Sequence, residues 1–530
     1  MPMNTTRTRT ALTSVAMLAL LSGLTACADS GGDRSRTAAV DAEHYFYDYA
    51  EGAQDSAGST APYATTKSDA EPPVIGPLQD NTFVEAGTSG FVETRTDATS
   101  TFGLDVDTGS WGIARTLLDQ GEQPPPESIR VEEWINAQPY ADPAPTDDDL
   151  ALTAETAAHP SLDDAQLTRL AVSAREMALE DLPPINLTLV VDRSGSMDLQ
   201  SRLGLVKTSL GLLAENLRPD DSVAVVGYDD RVSTVLAPTE VRETEQIVAA
   251  IDELTPRGST DVESGLVRGY ELAREAYRED AVNVVVLASD GVANVGATGP
   301  DAILERIASE GKDGIHLVTV GFGMGNYNDH LMEQLADRGD GFYAYVDTVD
   351  EARRLFVDDL ASTLTPVAAE AKTQVELDPE LVESWRQVGY DNRQLADEDF
   401  DDPSVDAGEV GAGHHVSALY ELRVADGVEP GTQVGTATVR WTPPEGGAAR
   451  EIETPIIAGD GEPSDSLALA ALVADFAATL KQDEVTSQRD LDLDQLHERA
   501  TSLERAGVDG ASELSAMIAL AQEMDPYPVE

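Results

Sequence analysis

The chain of 530 residues contains a single cysteine, Cys27. It can therefore form no internal disulfide and offers no thiolate metal site. Basic residues are also scarce: 35 against 97 acidic ones, a net charge of −62, with only five lysines. Without a basic footprint, duplex nucleic acid is a poor partner. Acid spread over helices and loops keeps copies apart and suits a salty external medium that screens the repulsion. Beyond residue 27 no apolar run is long enough to cross a bilayer. A G-x-x-x-x-G-K-[ST] phosphate loop is missing, which disfavours a P-loop ATPase, and no G-x-S-x-G elbow forms at 192–197.

What is present begins with a leader, residues 1–27. Arg7 and Arg9 precede a short apolar stretch from Ala11 to Leu21, and Leu24-Thr25-Ala26-Cys27 follows. The pattern is that of a secretory signal. Its last four residues resemble a bacterial lipobox, which implies an acyl group on Cys27 and export to the cell membrane or cell surface. Residues 28–95 are too rich in Gly, Ser, Thr, Ala and acid to build a core and read as a flexible tether. The aromatic island HYFYDYAEG (44–52) reads as a sticky piece of that linker, with a docking patch as the alternative.

Ordered texture starts with STFGLDVDTGSW, a strand pattern, followed by two helices, GIARTLLDQG and PPPESIRVEEWI. These form a small N-terminal flank at 98–140, thin for a free-standing unit. A polar, proline-containing stretch (138–162) follows, and 163–182 has Leu and Ala at spacings that fit no element. From 185 the alternation becomes regular. Continuous apolar strands at 185–191, 222–228, 282–289, 315–322 and 341–347 alternate with helical patterns at 201–217, 244–254, 262–277, 300–310, 328–338 and 349–363. This predicts an α/β domain at 183–365, a doubly wound and mostly parallel sheet, with 232–236 hairpinned on one edge. Strand-rich segments at 370–460 predict an additional β-rich domain, and 463–525 predicts a helical C-terminal region that packs with the N-terminal flank.

The stretch VVDRSGSMD (190–198) ends the first strand of the α/β domain with Asp192, Ser194 and Ser196 around Gly195. In open α/β sheets ligands bind beyond the carboxyl ends of the strands. Asp290, in LASDGVANVG, ends another central strand, and Thr260, in TPRGSTDVESGL, precedes a helix. Two carboxylates and three hydroxyls make an all-oxygen site that suits magnesium, with manganese or calcium as alternatives, better than zinc or copper. Two carboxylates cancel a dication's charge without reversing it, so a further carboxylate from outside can still be attracted. Each fragment also has an ordinary structural reading. Ser and Asp cap helices, Thr260 with Glu263 fits a capping box, and Ser289-Asp290-Gly291 fits a turn. Asp198 and Asp261 read as solvated or supporting acids. No histidine lies near the serines in sequence; His316, His414 and His415 could reach them only through the fold.

The constellation Asp192/Ser194/Ser196, Thr260 and Asp290 resembles the metal-ion-dependent adhesion site of von Willebrand factor type A domains. STFGLDVDTGSWGIARTLLDQGEQPPPESIRVEEWIN, GFGMGNYNDHLMEQLADRGDGFYAYVDT and VDAGEVGAGHHVSALYEL resemble bacterial exported or lipid-anchored proteins that frame this domain with dedicated flanks. The likeness runs over about 98–525. It implies strand order 3-2-1-4-5-6, direct ligation by Ser194 and Ser196, and ligation by Thr260 directly or through water. It also implies that Asp192 and Asp290 hold the ion largely through water. The expectation is a non-enzymatic, lipid-anchored, metal-dependent binding module that takes an Asp or Glu carboxylate of a protein partner. The alternatives are an envelope scaffold whose metal only stabilises loops, and a metal-assisted hydrolase.

Overall fold

The computed structural model describes Ala42, Tyr45 and residues 88–524, apart from 147, 291–306, 308–313, 324–328, 340, 361–363, 392, 403–404, 406, 445, 483–488 and 490. The leader with Cys27, most of the tether, most of the helix expected at 300–310 and residues 324–328 of the GFGMGNYN stretch lie outside the described residues.

The flank begins with strand β1 (Thr99–Gly103) and helices α1 (Gly109–Asp119) and α2 (Val131–Asn136). Residues 138–182 then hold a hairpin of β2 (Leu150–Ala158) and β3 (Gln166–Ala174). β3 is buried on both faces, but the sequence pattern concealed it because Thr168, Arg169 and Ser173 interrupt its apolar run. Leu170, Val172 and Ala174 enter one core and Leu167 another. Its polar residues are buried with partners: Arg169 bonds Asp142 and Ser417, and its guanidinium lies 3.9 Å from the Tyr140 ring centroid.

The α/β domain contains β4 (Ile185–Asp192), α3 (Arg202–Asn216), β5 (Ser222–Tyr228), β6 (Val232–Glu240), α4 (Thr244–Glu253), α5 (Val262–Glu275), β7 (Val282–Ser289), β8 (His316–Phe322), α6 (Asp329–Asp337), β9 (Tyr343–Val346) and α7 (Val349–Arg353). The sheet order is β9-β8-β7-β4-β5-β6, which in domain numbering is 3-2-1-4-5-6. All pairings are parallel except β5 with β6. Every residue of β4 is buried, as expected for a central strand covered on both faces.

One covering helix comes from the flank. Ile113 and Leu117 of α1 join the core built by β7, β8, α5 and α6. A Cβ on Gly109 would fall 2.5 Å from Tyr343, and one on Gly112 2.8 Å from Tyr345, so only glycines let α1 lie this close to β9. Tyr45 also packs against this domain, with its ring 6.0 Å from Lys207 Nζ. That residue of the aromatic island is therefore docked rather than loose linker. Its hydroxyl is pushed up to about 12 by burial and by Asp252.

Beyond the domain run β10 (Pro366–Leu377), β11 (Val382–Val388), β12 (His415–Val424), β13 (Gln433–Thr442) and β14 (Arg450–Ile457). They do not form a separate domain at 370–460. One sheet runs Val92–Glu93, β11, β12, β3, β2; the other runs Gln394–Leu395, β1, β10, β13, β14. Strands from before and after the α/β domain share both sheets, so the α/β domain is an insertion between them. Helices α8 (Asp465–Lys481), α9 (Leu493–Ala506) and α10 (Ala511–Gln522) share a core with α1 and α2, where Trp134 lies edge-on to Trp111 at 5.3 Å and 5.5 Å from Phe476. Arg393 joins the parts, bonding Asp105 and Asp107 of the flank and Glu333 of α6.

Candidate metal centre

β4 and β7 are in-register neighbours, so Asp192 at the end of one and Asp290 just after the other meet at the same edge of the sheet. Both are fully buried. Asp192 Oδ1 accepts from the Ser194 N–H at 2.7 Å, and Oδ2 accepts from Ser289 Oγ at 2.9 Å and Tyr228 Oη at 3.3 Å. The chain turns into a 3-10 segment, Gly195–Ser201, that places Ser194 Oγ and Ser196 Oγ 3.0 Å apart. Ser194 is buried, Ser196 is half-buried and Gly195 is exposed, so the cluster opens toward solvent on this side.

The Thr260 loop is tied to this turn by its backbone. The Gly195 N–H donates to Gly258 O at 3.2 Å and the Arg257 N–H to Arg193 O at 2.6 Å. Gly258 has φ +71°, and a Cβ there would fall 2.5 Å from Asp230 Oδ1; no other residue type fits without strain. Asp229 holds the loop from beneath, accepting from Arg193 Nη2 at 3.0 Å and Arg257 Nε at 2.9 Å. Thr260 itself is buried. The capping role weighed for it belongs to Asp261, whose carboxylate accepts from the Ser264 N–H at 3.1 Å and Ser264 Oγ at 2.7 Å. Asp261 is thus a helix cap rather than a solvated acid, and the Thr260 hydroxyl is not spent on that cap.

Charge at the site is incompletely balanced. Burial, reinforced by the Asp290 charge, pushes Asp192 up to about 6, against the pull of the Ser194 N–H and the Ser289 hydroxyl. Arg202, the first residue of α3, is the site member that sequence reasoning missed. Its Nη1 donates to Asp290 Oδ2 at 2.7 Å and to Ser196 O at 3.1 Å, and it is 3% exposed, too buried for a solvated arginine. One signal was available: a cation in the first turn of a helix opposes the helix dipole and needs a reason to be there.

Among the described residues no three His, Cys, Asp or Glu gather as a ligand set. Here two carboxylates are supplemented by hydroxyls, and two buried, mutually repelling carboxylates beside paired hydroxyl oxygens fit a hard divalent cation. His316 pairs with Val284, six residues before Asp290, which places it ~20 Å away at ~3.3 Å per residue. His414 and His415 border a crevice shared with α1, α7 and β9.

Comparison with known proteins agrees with this architecture. Residues 186–358 match the von Willebrand factor type A domain model, 77–169 match a model described as von Willebrand factor, and 362–525 match "Uncharacterized protein YfbK, C-terminal". The solved structure of a von Willebrand factor type A protein from Catenulispora acidiphila is similar at TM-score 0.40 and 16% identity, covering 69% of this chain and 92% of that one. The Synechocystis protein sll0103 is 33% identical over 188 residues, 36% of this chain and 44% of that protein. Uncharacterized protein YfbK of Escherichia coli is 34% identical over 411 residues, 73% of this chain and 71% of that protein. The chain therefore belongs to the YfbK family, with a von Willebrand factor type A domain set between flanks that fold together.

Proposed function

We propose that this protein is a surface-anchored, non-enzymatic, divalent-cation-dependent binding module for a protein partner that presents an Asp or Glu carboxylate. One observation carries the reading: Asp192, the Ser194–Ser196 hydroxyl pair and Asp290 converge at the strand tips, with the half-buried Ser196 and exposed Gly195 facing outward. Ser194, Ser196 and Thr260 would hold magnesium, or manganese or calcium, with Asp192 and Asp290 supplying the balancing charge. A bound dication would supply positive charge and an open coordination position for the partner's oxygen. The von Willebrand factor type A match supports a role in protein interaction. Anchoring would rest on an acylated Cys27, and C27A should move the protein out of the membrane fraction.

A metal that only staples loops is the weaker reading. The three loops are already tied by the Gly195–Gly258 and Arg257–Arg193 backbone bonds and by the Arg202–Asp290 pair. The test compares native protein with S194A/S196A for manganese binding by calorimetry, and for partner capture from envelope extract with magnesium or chelator. Loss of both in the variant, with an unchanged melting temperature, is expected. The same partners captured with chelator present, or a lowered melting temperature with capture intact, would favour the scaffold.

A further inference from the structure

Arg202 is expensive to bury, since a guanidinium out of water needs compensating partners. In a chain with so few basic residues, this one is spent beneath the strand tips, where it does nothing for solubility. The fold is built around it. Gly323 has φ +72°, and a Cβ there would come within 2.9 Å of Arg202 Cγ, so the glycine leaves room for the arginine stem. The guanidinium then grips Asp290 Oδ2 at 2.7 Å and the Ser196 carbonyl at 3.1 Å, touching a carboxylate and a serine turn of the site together. Asp229, another acid of these loops, is already matched by Arg193 and Arg257.

Two carboxylates and a dication sum to zero. Two carboxylates, a dication and Arg202 sum to one positive charge. We infer that Arg202 is a resident cation that trades divalent affinity for carboxylate capture: it opposes metal loading and leaves the loaded site positive until an external carboxylate arrives. This rests on the divalent-site reading proposed above and adds a specificity-determining residue to it. It also accounts for attraction of an acidic group by so acidic a protein: the background repulsion is long-ranged and screened by salt, whereas a buried charge beside the ion is not. Metal and carboxylate should bind cooperatively, and by linkage each must tighten the other by the same factor.

The test titrates manganese into the full chain by calorimetry, with acetate replacing chloride at equal ionic strength, for native protein, R202Q and R202K. Native protein should bind manganese more tightly in acetate. R202Q should bind manganese on the order of tenfold more tightly in chloride, yet lose the acetate enhancement, since one unit charge nearby is worth about that factor. R202K keeps the charge and should follow native protein. Opposite signs matter here, because a merely structural arginine would weaken both affinities when removed. If native protein binds manganese but acetate does not tighten it, the inference is overturned whether or not R202Q folds; equal or weaker manganese binding by R202Q also overturns it. If native protein binds no divalent cation, the site reading fails and takes this inference with it.

Discussion

Two buried charge clusters in this molecule are built from the same residue types and end in opposite states. Under the C-terminal helices, Glu421 of β12 and Asp475 of α8 meet three guanidiniums. Arg489 bonds both, Arg386 lies 3.6 Å from Glu421, and Arg499 lies 2.7 Å from Asp475. Burial alone would raise Glu421, but the His159 hydrogen bond with Arg489 and Arg386 outweighs it and holds the carboxyl at about 2. At the strand tips two carboxylates share one guanidinium, and Asp192 is driven the other way, to about 6. The first cluster sets three guanidiniums against two carboxylates, so its acids are fully matched, and it works as a pin between sheet and helices. The second has been left short of positive charge, which is what a cation site requires.

The contrast can be broken most severely at the pin. R489M strips Glu421 and Asp475 of their shared cation, and an unfolding free energy lower by about 3–5 kcal/mol is expected from chemical denaturation; a loss under 1 kcal/mol would mean the cluster is not a pin. The same contrast predicts a pH signature. Glu421 has a folded value below its ordinary 4.5, so its stabilisation is complete above that value and drains away as pH falls toward about 2. E421Q should flatten the stability–pH curve by about 2–3 kcal/mol across that window. At the strand tips the sign reverses. D192N removes a carboxylate whose charge is disfavoured, so the metal-free variant should be more stable than native protein at pH 7 by about 1 kcal/mol while losing manganese binding. The smallest effect is expected at the loop support: G258A should cost about 1 kcal/mol through its left-handed φ and weaken manganese binding a few-fold, with the far-UV spectrum unchanged.

Legibility in the sequence followed the same division. The parallel sheet was readable because β4, β5, β7 and β8 are covered on both faces and appear as unbroken apolar runs. The placement of Asp192, Ser194, Ser196 and Asp290 at one edge of the sheet was readable because strand ends mark the binding edge of such a sheet. The β2–β3 hairpin was hidden by polar residues that pair internally, such as Arg169 with Asp142. The mixing of early and late strands was hidden because no local pattern encodes that β1 pairs with β10. Arg202 was passed over, and Asp261 read as a solvated or supporting acid rather than a cap, because a charge near a helix start reads as a surface residue until its partner is known.

The fit of α1 onto Tyr343 and Tyr345 bears on how the protein must be made and handled. Synthesis delivers the N-terminal flank before β9, so when those tyrosines emerge, the helix that shields them already exists. A fragment cut at 183–365 would be born with that greasy patch bare and two core residues, Ile113 and Leu117, left behind. Aggregation of such a fragment would report the missing lid rather than any fault in the excised sheet.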